Sequence, residues 1–303
     1  MGSDPAPEPN MKISAVLSLL LVAAPLGAAL VIDDAALNRH FSASLGELAE
    51  DDIPIQMNAA RQALHETSGK PVIITHPGDP IVVEPDDSLY SACLPAIVAV
   101  GTVYDCGRCD EWHLGGFATG WIASPDGIVV TNHHVIQGDE TRFAGVMTPD
   151  GSVYPVVEVL GGDEAADIAV IRIDTGGEKL PYLALADDVA IGEKISVISN
   201  PRRRFFVYTS GVVSRFQYRP HRNGDRPVFM SITADYAVGS SGAPVINSQG
   251  RVVGMAVSTS TATTARPHAG DNGGEAERVV QMVFKDSISL QNLRETIRYK
   301  NNP

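Results

Sequence analysis

Cysteine is scarce in this chain, three in 303 residues, so one disulfide at most can form and covalent staples do not hold the fold together. Basic residues are short too: 23 Lys plus Arg stand against 36 Asp plus Glu, a formal charge of −13. A general nucleic-acid binder needs a broad cationic surface to displace phosphate counterions, which excludes that role as the main one. Internal repeats are absent. Long apolar runs are absent as well, with one exception, Ile13–Leu26. That run follows Met11-Lys12 and ends on Gly27-Ala28-Ala29, the charged, apolar and small-residue order of a secretory signal peptide cut after Ala29. It is short for a bilayer span, and Asp33 and Asp34 follow at once, so the mature chain is expected to be exported without a membrane span.

What remains is rich enough to fold. Hydrophobic residues make up 44% of the chain, ample for a packed core and incompatible with disorder along the whole length. Residues 1–10 read as an upstream extension, 11–29 as the signal peptide and 30–88 as an acidic, helical lead-in. In that lead-in Leu37, Phe41, Leu45 and Leu48 recur at helical spacing, and Ile53, Met57, Ala60 and Leu64 continue it. From about Leu89 the period shortens to apolar runs separated by Gly, Pro, Asp and Asn, an all-β pattern. Six runs fall between Ala96 and Ile173 and six between Ile195 and Phe284, which predicts two tandem six-stranded antiparallel barrels over about 89–185 and 186–285. Thr261–Arg278 has no apolar period and reads as a mobile loop. Ser289 opens an amphipathic helix over 289–299 with Leu293 and Ile297 on one face.

Three segments carry chemistry. In Gly239-Ser240-Ser241-Gly242-Ala243-Pro244 a serine sits in a glycine-flanked turn, where its hydroxyl can be exposed and the N–H groups of Gly239 and Ser241 can form an oxyanion hole. The second glycine of an α/β-hydrolase elbow is missing, because Ala243 occupies that place. A serine hydroxyl needs a base, and the apolar strand Gly127–Thr131 ends in His133-His134, of which His134 is the candidate because it directly precedes Val135-Ile136. Asp167 opens the run Ile168–Ile171 and can hold the tautomer of that base, with Asp163 as competitor.

Val130-Thr131-Asn132-His133-His134-Val135, Asp167-Ile168-Ala169-Val170 and the Gly239–Pro244 turn resemble the three signatures of trypsin-like serine proteases, nearest the bacterial HtrA-type branch. Thr119–Gly127 and Thr209–Ser214 resemble that branch's strands before the histidine and before the serine. The resemblance runs from about Leu89 to Phe284. It implies a double barrel, an endopeptidase working through an acyl-enzyme with His134, Asp167 and Ser241 as triad, protein or peptide substrates, and no metal or organic cofactor. Two departures matter. Ser240 stands where zymogen-activated trypsins place an aspartate, and the stretch after Ser241 is expected to leave no room for the PDZ domain usual in that branch. Rival readings are a catalytically silent binding module and a non-peptide acyl hydrolase.

Three features carry weaker signals. Cys106-Gly107-Arg108-Cys109 with His113 reads as a local disulfide, as a zinc site short of a fourth ligand from Cys93, Asp105, Asp110 or Glu111, or as free thiols. Arg202, Arg203, Arg204, Arg215, Arg219, Arg222 and Arg226 gather in one stretch, either as solvated loops or as a basic patch for acidic segments. Asp235 lies at the offset from Ser241 that the resemblance assigns to the base of the specificity pocket. A buried carboxylate there would select Arg or Lys, whereas the HtrA-type branch implies small aliphatic residues, and Thr259 could narrow the entrance.

Overall fold

The computed structural model describes residues 31–76, 79–84, 87–137, 142–266 and 277–301; the extension and signal segment assigned to residues 1–29 lie outside them. The lead-in forms two helices, α1 (Asp34–Glu50) and α2 (Met57–Thr67), then a short strand β1 (Val72–His76) and a one-turn helix α3 (Leu89–Cys93). Asp33 caps α1 by accepting a hydrogen bond from Ala36 N at 2.9 Å. Phe41 and Leu45, four residues apart on one helical face, are both wholly buried. They belong to the same apolar core as Val98, Val100 and Val146 of the first barrel, so the lead-in is part of that core.

The first barrel comprises β2 (Ile97–Asp105), β3 (Trp112–Ser124), β4 (Ile128–Thr131), β5 (Phe143–Met147), β6 (Val153–Asp163) and β7 (Ile168–Ile173), closed in the order β2-β3-β4-β7-β6-β5. The second comprises β8 (Lys194–Ser199), β9 (Val207–Tyr218), β10 (Val228–Ile232), β11 (Pro244–Asn247), β12 (Val252–Arg266) and β13 (Glu277–Ser289), closed in the order β10-β13-β12-β11-β8-β9. All neighbours within each barrel are antiparallel, as the twelve apolar runs predict. Closure removes unpaired edges.

Two local expectations need correction. The loop expected over Thr261–Arg278 is strand at both ends: β12 and β13 stay paired from Thr261↔Val283 to Arg266↔Glu277. Thr-Ala-Thr-Thr lacks an apolar period but has β-branched residues, and pairing with Val279, Val280 and Val283 satisfies its backbone. The helix expected over 289–299 is shorter. Helix α4 (Leu290–Thr296), capped by Ser289 Oγ accepting from Asn292 N, gives way to β14 (Ile297–Asn301), which pairs in parallel with β1 in the register Val72↔Ile297. Burial of Val72, Ile74 and Ile297 in the common core decides for strand over helix.

If α1 is integral to the core, Phe41→Ala should lower global stability by about 3–5 kcal/mol, the usual cost of an aromatic-to-alanine cavity. Urea unfolding should show the loss in the main transition. A separate early transition with the main one unmoved would mean that the lead-in is only an appendage.

Candidate active site

Strand β4 is buried along its whole length and delivers the chain through Asn132 into a single 3-10 turn, His133–Val135. That turn sends the two histidines in different directions. His133 is buried, and loss of water holds its pKa below the ordinary histidine value. His134 is half exposed, with Nδ1 2.7 Å from Asp167 Oδ2. The hydrogen bond to Asp167 raises the pKa of His134, outweighing the opposing effect of burial.

Asp167 is fixed from both ends. Its second carboxylate oxygen, Oδ1, accepts from the backbone N–H of His134 at 2.9 Å. Its carbonyl accepts from Asn132 Nδ2 at 2.9 Å and from His133 N at 3.1 Å. This grip comes with a φ of 60°, the left-handed region that aspartate tolerates better than most residues. The carboxylate thus sets both the ring and the main chain of His134.

Ser241 is half-buried in the turn between β10 and β11. Its carbonyl accepts from Thr119 N of β3 at 2.9 Å, which seats it on the first barrel beside the strand pair that leads to His134. Gly242 lies so close to that pair that a Cβ there would overlap Thr119 O and Thr131 Oγ1, and its φ is +86°. Gly239, with φ +97°, packs against Asn200 O and Arg202 N in the same way. The amides of Ser240, Gly242 and Ala243 are committed to the carbonyls of Ala237, Ala256 and Ser240. Among the described residues no backbone carbonyl accepts from the N–H of Gly239 or Ser241, the two donors expected of an oxyanion hole. Ser240 points inward, is wholly buried, and meets Ser199 Oγ at 2.9 Å, so a neutral hydroxyl pair braces the turn.

Sequence reasoning left Thr119 and Asn200 without roles. The wholly buried Thr119 donates its hydroxyl to Gly239 O at 2.8 Å and accepts from Asn200 N at 3.0 Å and Asn200 Nδ2 at 3.1 Å. Its carbonyl accepts from Thr131 Oγ1 at 2.8 Å. The loop after Asn200 has three non-glycine residues at positive φ, Arg202, Arg203 and Phe206. Asn200 Oδ1 closes it by accepting from Phe206 N at 2.9 Å, and Arg202 N donates to Val238 O at 2.7 Å, next to Gly239. From the lead-in, Asp34 Oδ1 accepts from Phe205 N at 2.8 Å. An Asn-Pro pair directly after a strand was the available signal for a tight turn here.

The surroundings of the pocket candidates do not meet the condition for a basic pocket, a buried and unpaired carboxylate. The side chain of Asp235 is 85% exposed and lies 3.5 Å from Lys285 Nζ, so it is neither buried nor unpaired. Lys285 itself is largely buried, donates to Tyr236 O and is the cross-strand partner of the exposed Thr259. The arginine cluster disperses: Arg203 donates to the carbonyls of Leu114 and Gly115, Arg219 pairs with Asp286 and Arg222 with Glu164. Cys106 and Cys109 are unbonded and lie beside His113, whereas Cys93 is buried under Gly250 of the second barrel. A cleft of about 710 Å³ beside α4, lined in part by Phe216, Leu290 and Arg294, contains none of His134, Asp167 or Ser241.

Residues 118–255 match the trypsin-like peptidase domain. The chain is 35% identical over 139 residues to a probable periplasmic serine endoprotease DegP-like of Chlamydia pneumoniae, covering 45% of this chain and 28% of that protein. It is 36% identical over 143 residues to the mitochondrial serine protease HTRA2 of Bos taurus (45% of this chain, 30% of that protein). To the DegP-like protein of Brucella suis biovar 1 it is 32% identical over 139 residues (45% and 26%). The match thus spans less than a third of each of these relatives.

Thr119→Val keeps the shape of the side chain but strands the carbonyl of Gly239 and the backbone N–H of Asn200. It should cost roughly 1–3 kcal/mol for each buried group left unpaired. Chemical denaturation measures it, and a change within error would show that the hydroxyl is dispensable.

Proposed function

We propose that this chain, whose residues 118–255 match the trypsin-like peptidase domain, is an exported serine endopeptidase with His134, Asp167 and Ser241 as its triad and the amides of Gly239 and Ser241 as its oxyanion hole. The observation that carries this reading is the double contact of the Asp167 carboxylate with the ring and the amide of His134. With Nδ1–H donated to Asp167, Nε2 is the free acceptor. Ser241 Oγ attacks the scissile carbonyl as His134 Nε2 takes its proton. The negative charge that forms on the carbonyl oxygen meets the two uncommitted amides, each such donor being worth ~10²–10³ in rate. His134 then returns the proton to the leaving amine, and water, activated by the same imidazole, releases the acyl group. Export is supported by the order of residues 11–29 and by the periplasmic relatives, and no described helix is long and apolar enough to cross a membrane.

The proposed substrates are proteins or peptides cleaved after small aliphatic residues. A pocket whose carboxylate is exposed and neighboured by Lys285 has no unmet negative charge for an arginine to relieve. The nearby ammonium adds repulsion.

Ser241→Ala should abolish hydrolysis of an unfolded protein substrate and labelling by a fluorophosphonate, with folding intact; retained turnover would sink the assignment. His134→Ala should be as severe and His133→Ala mild. Protonated His134 cannot act as base, so kcat/KM falls with falling pH through its pKa. Because Asp167 raises that pKa, the midpoint of the acidic limb should lie above the ordinary value of ~6.5. In Asp167→Asn the limb should move down and kcat drop by ~10⁴. A peptide-library digest should give cuts after Val, Ala or Ile, unchanged in kind by Asp235→Ser. Cuts after Arg that disappear in that variant would restore the basic pocket.

A further inference from the structure

At the tip of the β2–β3 hairpin, on the first barrel, Cys106, Cys109 and His113 present their Sγ and ring nitrogen atoms within 4.8 Å of one another. We propose that these three residues form a zinc site with three protein ligands, its fourth position open to water. The hairpin builds the cluster from two directions. Asp105 accepts from Gly107 N at 2.7 Å, and Gly107 at φ +65° reverses the chain so that the two cysteines, three residues apart, face each other with Sγ atoms 3.3 Å apart. His113 arrives from β3, opposite Tyr104 in register, with its ring against that of Tyr104 and Nε2 3.0 Å from Cys109 Sγ.

A tetrahedral zinc with bonds of about 2.3 Å to sulfur and 2.0 Å to nitrogen separates its ligand atoms by roughly 3.5–3.8 Å. The Sγ–Sγ spacing of 3.3 Å and the Cys109 Sγ–His113 Nε2 spacing of 3.0 Å reach that by opening about half an ångström. Two thiolates and an imidazole are also the donor set that favours zinc over hard cations, which take oxygen. The alternative use of the cysteines, a disulfide, would leave the imidazole of His113 docked on a sulfur that no longer needs it. Among the described residues no carboxylate joins these three within that 4.8 Å, Cys93 is buried under the second barrel, and one oxygen of Asp105 is occupied by the turn. Cys109 is exposed and Cys106 partly so, which leaves the remaining coordination position to solvent.

The test uses the whole mature chain, isolated without chelator or reductant and then compared after phosphine reduction. Elemental analysis after dialysis against buffered zinc should find about one zinc per chain, and cobalt(II) in its place should give a thiolate-to-metal charge-transfer band in the near ultraviolet. Competition with a chromophoric chelator should show affinity falling roughly tenfold or more in Cys106→Ser, Cys109→Ser and His113→Ala. His113→Gln and a matching circular dichroism spectrum guard against a folding defect. Uptake below about a tenth of an equivalent by the reduced chain overturns the proposal. So does zinc bound equally by all the variants, and so does mass spectrometry that finds Cys106 and Cys109 joined in the chain as isolated.

Discussion

One buried residue ties the two barrels together through its polar groups. Thr119 belongs to the first barrel, yet its hydroxyl is shared between Gly239 and Asn200 of the second, and its amide holds the carbonyl of Ser241. In a core from which water is excluded, each of these groups is costly to leave unmet, so the barrels have one register in which all are satisfied. That register seats the serine turn beside the strands that carry the histidine. An apolar contact of the same area could slide; this one cannot.

The electrostatics of the site follow from that register. Asp167 reaches His134 along the first barrel alone, through contacts between β4 and β7 and the loop before β7. The serine turn is braced by neutral groups, the Ser199 and Ser240 hydroxyls and the amide of Arg202. Charge is therefore concentrated at the imidazole, where the proposed proton transfer would need it, and kept out of the turn proposed to hold an oxyanion, where a carboxylate would oppose it.

Much of the architecture was legible in the sequence because closed barrels impose period-two runs, and β4 and β7 are apolar enough to be read without ambiguity. The histidine, aspartate and serine segments were legible through their neighbours. Other parts were not. The parallel pair β1–β14 joins segments more than 200 residues apart, and Ile297-Arg298-Tyr299 fits a helical face as well as a strand until its partner is known. Thr119 looked like an ordinary strand residue, since its role depends on Asn200 and Gly239, far away in the chain. The surroundings of Asp235 were hidden for the same reason: the cation that neighbours it, Lys285, comes from another strand.

The pairing of β1 with β14 also has a kinetic meaning. Its register joins Val72 to Ile297, among the widest sequence separations in the structure, and loop-closure entropy opposes contacts of that kind until the intervening chain is already compact. The first barrel and its helices can collapse on their own contacts, but this clasp closes only once residues 297–301 are in place. Without residues 297–301, β1 would lose its strand partner and leave its backbone N–H and C=O groups open to other strands.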